Sequence, residues 1–242
     1  RGIELVPATG RSFAGVPDEV RSLAGVKYII TTNGAAIYTP AGELVQETGL
    51  NRKTATELLK RADRSRAIAA AYIDGRGYME KNDLPRVEEI GLHAGITYYF
   101  RATREMVSDL AAFIRSQQND VQLLTLAMNK TDKAAHSAIA ALAKEYSDVS
   151  LVFGSPHDMD ITHVGANKGS ALRYIANRLG IEATGIAAIG DSANDIDLLR
   201  AAGLGIAMEN GDAAVKKEAQ IIAPSNNADG AAIIIEKLLN IL

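Results

Sequence analysis

Apolar and polar positions alternate along this chain in short blocks with two periods, near 2 and near 3.6 residues, and the order of the blocks predicts an architecture. Residues 1–45 read strand, helix, strand, hairpin. The apolar run 3–8 predicts a buried first strand, 13–23 an amphipathic helix interrupted near Pro17, and 27–31 a second strand. Asn33-Gly34 is a turn signal, and Thr39-Pro40-Ala41-Gly42 closes a hairpin behind a strand at 36–38. From about residue 46 the texture changes. Helices predicted at 53–62, 105–117 and 133–145 alternate with strands near 67–73, 96–100, 121–126 and 149–153, enough for a separate α/β domain with its own sheet. After Gly165 the alternation tightens: helices at 168–179, 195–202, 213–218 and 229–239 and strands at 185–189, 204–207 and 220–223. Short alternating β and α elements predict a doubly wound parallel sheet covered by helices on both faces. The C-terminal part is thus expected to extend the sheet begun by residues 1–45. The expected domains are a core of 1–45 and 164–242 with an α/β cap, 46–163, inserted into it.

Composition narrows the function. The 242 residues are 47% hydrophobic and 23% charged, an ordinary globular balance that excludes extended disorder and fibrous repeats. The absence of cysteine excludes disulfides, zinc–thiolate sites, iron–sulfur clusters and a cysteine nucleophile, and fits a reducing compartment. With 26 basic and 29 acidic residues and no basic cluster, neither nucleic acid nor a membrane surface is the expected partner; a small molecule is. The longest apolar runs, 67–73 and 231–235, fall far short of a membrane span and nothing resembles a signal peptide, so the expected location is cytoplasmic.

The densest polar cluster is Gly190-Asp191-Ser192-Ala193-Asn194-Asp195, directly after an apolar strand and before a helix. In a doubly wound sheet this puts two carboxylates at the carboxyl end of a strand, where such folds bind ligands. Asp191 ends the strand and Asp195 lies one turn on, a hard oxygen set suited to Mg²⁺. The alternative is an N-capping Asp followed by a first-turn acid that complements the helix dipole. Ala8-Thr9-Gly10-Arg11 follows the first strand in the same way. A hydroxyl and free amide N–H groups there can hold a phosphoryl oxygen and Arg11 can add charge, although an ordinary cap uses the same residues. Asn167-Lys168-Gly169-Ser170 opens the helix after the insertion. A lysine at a helix N-terminus opposes the dipole by roughly 0.3 to 1 kcal/mol, so Lys168 invites a functional reason that a negative ligand would supply, the alternative being a solvated lysine.

These segments, in this order around an inserted α/β unit, resemble the haloacid dehalogenase superfamily, and most closely its Cof-type phosphatases. Ala8 to Arg11 resembles that family's second motif, Thr32-Asn33-Gly34-Ala35 the lead into its cap, Asn167-Lys168-Gly169 its third motif and Gly190 to Asp195 its fourth. Gly205-Ile206-Ala207-Met208-Glu209-Asn210 and Asn227-Ala228-Asp229-Gly230-Ala231 match the segments that end such proteins. The resemblance implies a Rossmann-like core and a Mg²⁺-dependent phosphatase of small phosphorylated metabolites acting through an aspartyl-phosphate. By the same resemblance Thr9, Gly10, Arg11, Asn33, Lys168 and Asn194 bind phosphate or substrate, Thr9 and Lys168 take part in catalysis, and Asp191 and Asp195 hold the metal. A monomer or small homo-oligomer is expected.

The family's first motif, Asp-x-Asp-Gly-Thr, carries its nucleophile and is expected upstream of residue 1, about 25 residues of strand, loop and helix. Asp158-Met159-Asp160-Ile161-Thr162 has similar letters, but its position before the third motif predicts a strand returning from the cap. His93, His136, His157 and His163 show no triad or zinc spacing. Tyr72, Asp74, His93, Tyr98 and Arg101 are the cap residues available to read a substrate. Two other functions fit the same residues: a non-catalytic phosphometabolite-binding protein and a phosphomutase on the same scaffold.

Overall fold

The structure, a computed structural model, describes residues 2–91, 94–152 and 157–241. Contacts divide the chain into two compact units, Arg1–Ala166 and Asn167–Leu242.

The first unit begins with an extended segment that makes two isolated parallel bridges, Leu5 to Val26 and Ala8 to Ile30. The buried strand expected at 3–8 is therefore only partly realised: with pairing at two points, Ile3 and Leu5 remain exposed. Nor does one helix run through 13–23. Pro17 cannot supply an interior N–H, so a 3₁₀ turn at Phe13–Gly15 is separated from the short α1, Asp18–Arg21. The strands β1 (Ile29–Thr31), β2 (Ala36–Tyr38) and β3 (Leu44–Glu47) form an antiparallel sheet. Between β1 and β2 the 3₁₀ turn Thr32–Gly34 holds Thr32 and Asn33 at φ +47° and +56°.

The rest of this unit is α2 (Arg52–Arg61), β4 (Ala67–Ile73), β5 (Arg76–Glu80), α3 (Ala94–Thr103), β6 (Arg104–Val107), α4 (Leu110–Ser116), β7 (Leu123–Met128), α5 (Lys133–Ala143), β8 (Val149–Val152) and β9 (Asp158–His163). Its strands form one sheet in the order β6-β5-β4-β7-β9-β8, antiparallel except for the β5–β6 pair. All seven residues of β4 are buried because both faces are covered, which is why its sequence is a continuous apolar run. Ala67, Ala69, Ala71 and Ile73 pack with Leu58, Ile114 and Ile139 from α2, α4 and α5. Ile68, Ala70 and Tyr72 pack on the other face with Val87, Ile90 and Phe100.

Two expectations fail here. Residues 96–100 lie inside α3 rather than in a strand: Phe100 is drawn into the core while Tyr98 stays 75% exposed, a one-sided burial that overrides the β propensity of the segment. The predicted helix at 105–117 is divided, since residues 104–107 pair in parallel with β5 from Gly77 to Glu80 and the helix starts only after Asp109, whose side chain caps it. Strand β5 was missed altogether. Of the strand expected at 149–153, residue 153 lies outside the described residues.

The second unit follows its expected alternation closely. It runs α6 (Lys168–Leu179), β10 (Ala187–Gly190), α7 (Ile196–Ala201), β11 (Leu204–Met208), α8 (Ala213–Glu218), β12 (Ile221–Ala223) and α9 (Gly230–Ile241). The sheet β10-β11-β12 is wholly parallel. Along β11 the alternation splits the core in two. Ile206 and Met208 pack with Ile234 of α9, and Ala207 packs with Leu199 of α7 and Val215 of α8, so helices cover both faces. Among the described residues no helix is long and apolar enough to cross a membrane.

Candidate functional site

The sequence-predicted site residues form two groups, one in each unit. In the second unit, β10 ends at Gly190 and the chain turns sharply through Asp191 into the 3₁₀ turn Ala193–Asp195, which contains Asn194. Only glycine fits at 190, because a Cβ there would meet Asp195 Cβ at 2.4 Å. Asp195 folds back over the turn: its Oδ2 accepts the backbone N–H groups of Asp191 and Ser192 at 3.0 and 3.1 Å, and with Ser192 it forms a reciprocal capping box. Its Oδ1 receives the Lys168 ammonium at 2.5 Å. Both side chains are buried, 6% and 7% exposed. Lys168 is therefore not solvated, and at the start of α6 its charge is met by a carboxylate of the chain itself, where the sequence suggested a negative ligand. α6 reaches this position because Asn167 and Ser170 cap it and because residue 169 has no side chain; a Cβ there would stand 2.1 Å from the Asp197 carbonyl oxygen.

Asp191, the other expected metal ligand, is exposed, and its Oδ1 accepts the adjacent Ser192 hydroxyl at 3.3 Å. Its main chain is fixed by the Asp212 N–H at 2.8 Å. The two carboxylates are therefore differentiated. Asp195 is committed to holding the turn and the lysine, and Asp191 faces outward at the carboxyl end of a parallel strand. Among the described residues no cluster of three or more His, Asp or Glu side chains could hold a metal alone. A hard cation that keeps most of its waters needs fewer, and one outward carboxylate backed by a second fits that requirement.

In the first unit, Thr9 follows the parallel bridge at Ala8, with its N–H on the Ile30 carbonyl at 2.9 Å. Its hydroxyl accepts the Arg11 N–H at 3.1 Å, closing a tight turn around Gly10. The β1–β2 turn grips this loop, for Asn33 N–H donates to the Thr9 carbonyl at 3.2 Å and Thr32 N–H to the Arg11 carbonyl at 2.8 Å. Asn33 Oδ1 leaves room at residue 10 only for glycine, since a Cβ would lie 2.8 Å away. The exposed Arg11 lies over the Tyr99 ring at 4.8 Å. Thr9, Gly10, Arg11 and Asn33 are thus brought together as one loop cluster.

The geometry also gives Asp160, which the sequence placed on a return strand, a specific set of partners and brings in Thr125 and Arg104, which no motif singled out. On β9, Met159 and Ile161 face one core while the alternate positions Asp160 and Thr162 belong to the opposite face. Asp160 is buried and sits directly across from Thr125 of β7. Its carboxylate accepts the Thr125 hydroxyl at 2.6 Å and Asn33 Nδ2 at 2.9 Å. Burial, the largest influence, lifts this carboxyl to about 6, reinforced by Asp158 and opposed by the Thr125 hydrogen bond. On the same unit the Arg104 guanidinium is buried against Tyr72, Tyr99 and Phe100 at 4.7 to 5.1 Å and donates to the Tyr72 hydroxyl. For Thr125 the signal was present as a lone polar letter inside an apolar strand, Leu123–Met128.

The remaining candidates have structural partners. Asp74 accepts Asn119 Nδ2 at 2.6 Å, Arg101 pairs with Glu88 at 2.9 Å, and Tyr72 is buried. His136 and His157 contact main-chain carbonyls through Nδ1, and His163 Nδ1 accepts the Gly165 N–H. His93 lies outside the described residues.

A family model for haloacid dehalogenase-like hydrolases matches residues 1–235. The chain belongs to that family. Phosphatase YwpJ of Bacillus subtilis is 27% identical over 98% of this chain and 88% of its own length. The HMP-PP phosphatase of Cronobacter sakazakii is 26% identical over 87% and 73% respectively. A solved haloacid dehalogenase-like hydrolase from B. subtilis superposes with a TM-score of 0.83 at 23% identity, covering 97% of this chain and 87% of that one, and shares the fold.

Proposed function

We propose that this hydrolase is a Mg²⁺-dependent phosphatase of small phosphorylated metabolites, working through an aspartyl-phosphate. The observation that carries the reading is the buried Lys168–Asp195 pair at the end of β10, beside the outward Asp191. A lysine held at a helix N-terminus next to an exposed carboxylate suits a phosphoryl group that arrives with a divalent cation. The phosphatase names of its relatives support the same reaction class. In this reading residues 1–45 and 164–242 make up the core, 46–163 its cap, and the protein works in the cytoplasm.

Each residue then has a role that its surroundings favour. Asp191, backed by Asp195, would hold the Mg²⁺, which when bound neutralises charge on the phosphoryl oxygens. Lys168 adds a second positive charge whose position Asp195 fixes. Thr9 and the Gly10 main chain receive phosphoryl oxygens, with Arg11 adding charge at the rim. Asn33 and Asn194 orient the substrate. The nucleophilic aspartate, and the second acid that protonates the leaving oxygen and then activates water, are assigned to a segment preceding residue 1.

The test is hydrolysis of an aryl phosphate with Mg²⁺, and with the metal removed by a chelator. Residues 1–242 are compared with the polypeptide extended upstream. Activity confined to the extended form and lost with Mg²⁺ is the expected result. Equal activity in both forms would move the nucleophile into residues 1–242, with Asp158 and Asp160 first to be replaced. Phosphate binding without turnover in both would make this a binding protein.

A further inference from the structure

We propose that Asp160 is a positioning residue that holds the Thr9–Arg11 turn in shape through Asn33, making the β9 strand a strut for the phosphate-binding loop. The inference rests on the reading of that loop given above. Its geometry is a chain of contacts. Asp160 Oδ2 accepts Asn33 Nδ2 at 2.9 Å, and Oδ1 is anchored by the Thr125 hydroxyl at 2.6 Å. The same Asn33 presents Oδ1 to the face of Gly10 and its N–H to the Thr9 carbonyl, while Thr32 binds the Arg11 carbonyl.

What requires a strut is the backbone between these contacts. Thr32 and Asn33 are consecutive non-glycine residues with positive φ, +47° and +56°, and Thr32 is β-branched, the type least at ease there. Such a conformation persists only where its surroundings over-determine it. The main-chain bonds to Thr9 and Arg11 tie the turn to the loop itself. Asp160 is set in the ladder of a six-stranded sheet, opposite Thr125, and supplies the fixed point. A carboxylate buried in a sheet costs desolvation, and an apolar residue at this position would carry no such cost. Its two hydrogen bonds identify the function that offsets this: one anchors the carboxylate and the other directs the Asn33 amide.

The test has an activity arm and an exchange arm. In the extended, active polypeptide, Asp160→Asn keeps an acceptor for Asn33 and turns its amide donor to Thr125, so kcat/KM for an aryl phosphate should stay within about threefold of wild type. Asp160→Leu removes the acceptor and should raise both KM and the inhibition constant of inorganic phosphate by about tenfold or more, because displacement of a binding loop by a fraction of an ångström weakens every contact it makes. Asn33→Ala, which also removes the amide assigned to orient the substrate, should lose at least as much as Asp160→Leu, and the double variant should be no worse than Asn33→Ala. Equal losses in Asp160→Asn and Asp160→Leu, or additive losses in the double variant, would overturn the proposal.

Amide hydrogen exchange on residues 1–242 needs no activity. Protection at Thr32 and Asn33 should fall by about tenfold in Asp160→Leu and survive in Asp160→Asn, with β4 and β7 unchanged. Unchanged protection at Thr32 and Asn33 overturns the strut. An inactive wild-type extended chain refutes the phosphatase reading alone, and the exchange arm still decides the role of Asp160. If Asp160→Leu does not fold, Asn33→Ala carries the exchange arm from the other end of the bond, read at Thr32.

Discussion

Replacing Lys168 by Met should destabilise the second unit far more than a surface lysine could. The ammonium is 6% exposed and 2.5 Å from a carboxylate that is 7% exposed, so both charges have left water for each other. Removing one member of such a pair strands the other and typically costs 3 to 5 kcal/mol. Asp195 would still receive two backbone N–H groups, which puts the expected loss near the low end, about 3 kcal/mol. The size of the melting shift depends on what unfolds together. If residues 167–242 melt as a separate unit, 3 kcal/mol lowers Tm by about 12 to 24 °C, whereas one cooperative transition of the whole chain gives about 6 to 12 °C.

The assay is differential scanning calorimetry of wild type, Lys168→Met, Asp195→Asn and the double variant. Removing both charges leaves an amide that still accepts the backbone donors. The double variant should therefore recover at least about 1 kcal/mol of the summed single losses. A Lys168→Met protein melting within 2 °C of wild type, by the same scaling less than about 1 kcal/mol, would refute the reasoning. It would mean that Lys168 is solvated when free of ligand and that Asp195 needs no counter-charge.

Asp160→Asn should change the pH dependence of stability. The wild-type carboxyl titrates near 6 when folded and near 3.8 when unfolded, so its favourable contribution is complete below about pH 4 and is lost as pH rises through 6. The penalty above that range is about 3 kcal/mol, and urea denaturation should show the variant gaining on wild type between pH 4.5 and 7.5; a difference constant across that range would refute the assignment. Gly169→Ala should lower stability by about 1 to 3 kcal/mol, because its Cβ meets the main chain at Asp197 and α6 and α7 must part; urea unfolding with an unchanged midpoint would contradict the packing. Asp191→Asn should leave Tm within about 2 °C of wild type, since the side chain is exposed, yet abolish Mg²⁺-dependent turnover of the extended polypeptide; full turnover with unchanged Mg²⁺ dependence would remove Asp191 from the site.

The legibility of the chain followed burial. In the second unit, short parallel strands around the buried β11 and helices with one apolar stripe gave clear periods, and α6 and α8 begin and end where the pattern places them. The cap segment was harder. Its β5, Arg-Gly-Tyr-Met-Glu, pairs on both sides yet alternates exposed and buried positions, so it carries no apolar run to read. Its α3 contains Ile, Thr, Tyr, Tyr and Phe in succession, residues that favour strands until the packing of Phe100 on one side decides otherwise. Local propensity loses in both places to contacts made by residues distant in sequence, and no window along the chain contains those.

The candidate site divides along the same line. Gly190, Asp191, Asp195 and Lys168 stood out because a strand end, a helix start and clustered acids are local signals, and the sharp turn needs glycine where the sequence has it. The function of Asp160 is not local. Within Asp158–His163 it is one member of an ordinary alternation, and it becomes chemically distinct only when the ladder sets it across from Thr125 and the turn at Asn33, 127 positions away, reaches it. A motif records which residues meet the substrate. The residues that hold those in place are selected by burial and by hydrogen bonds across the fold. A carboxylate buried in a sheet, with both oxygens engaged and one of them directing a strained turn, is the form such a residue takes.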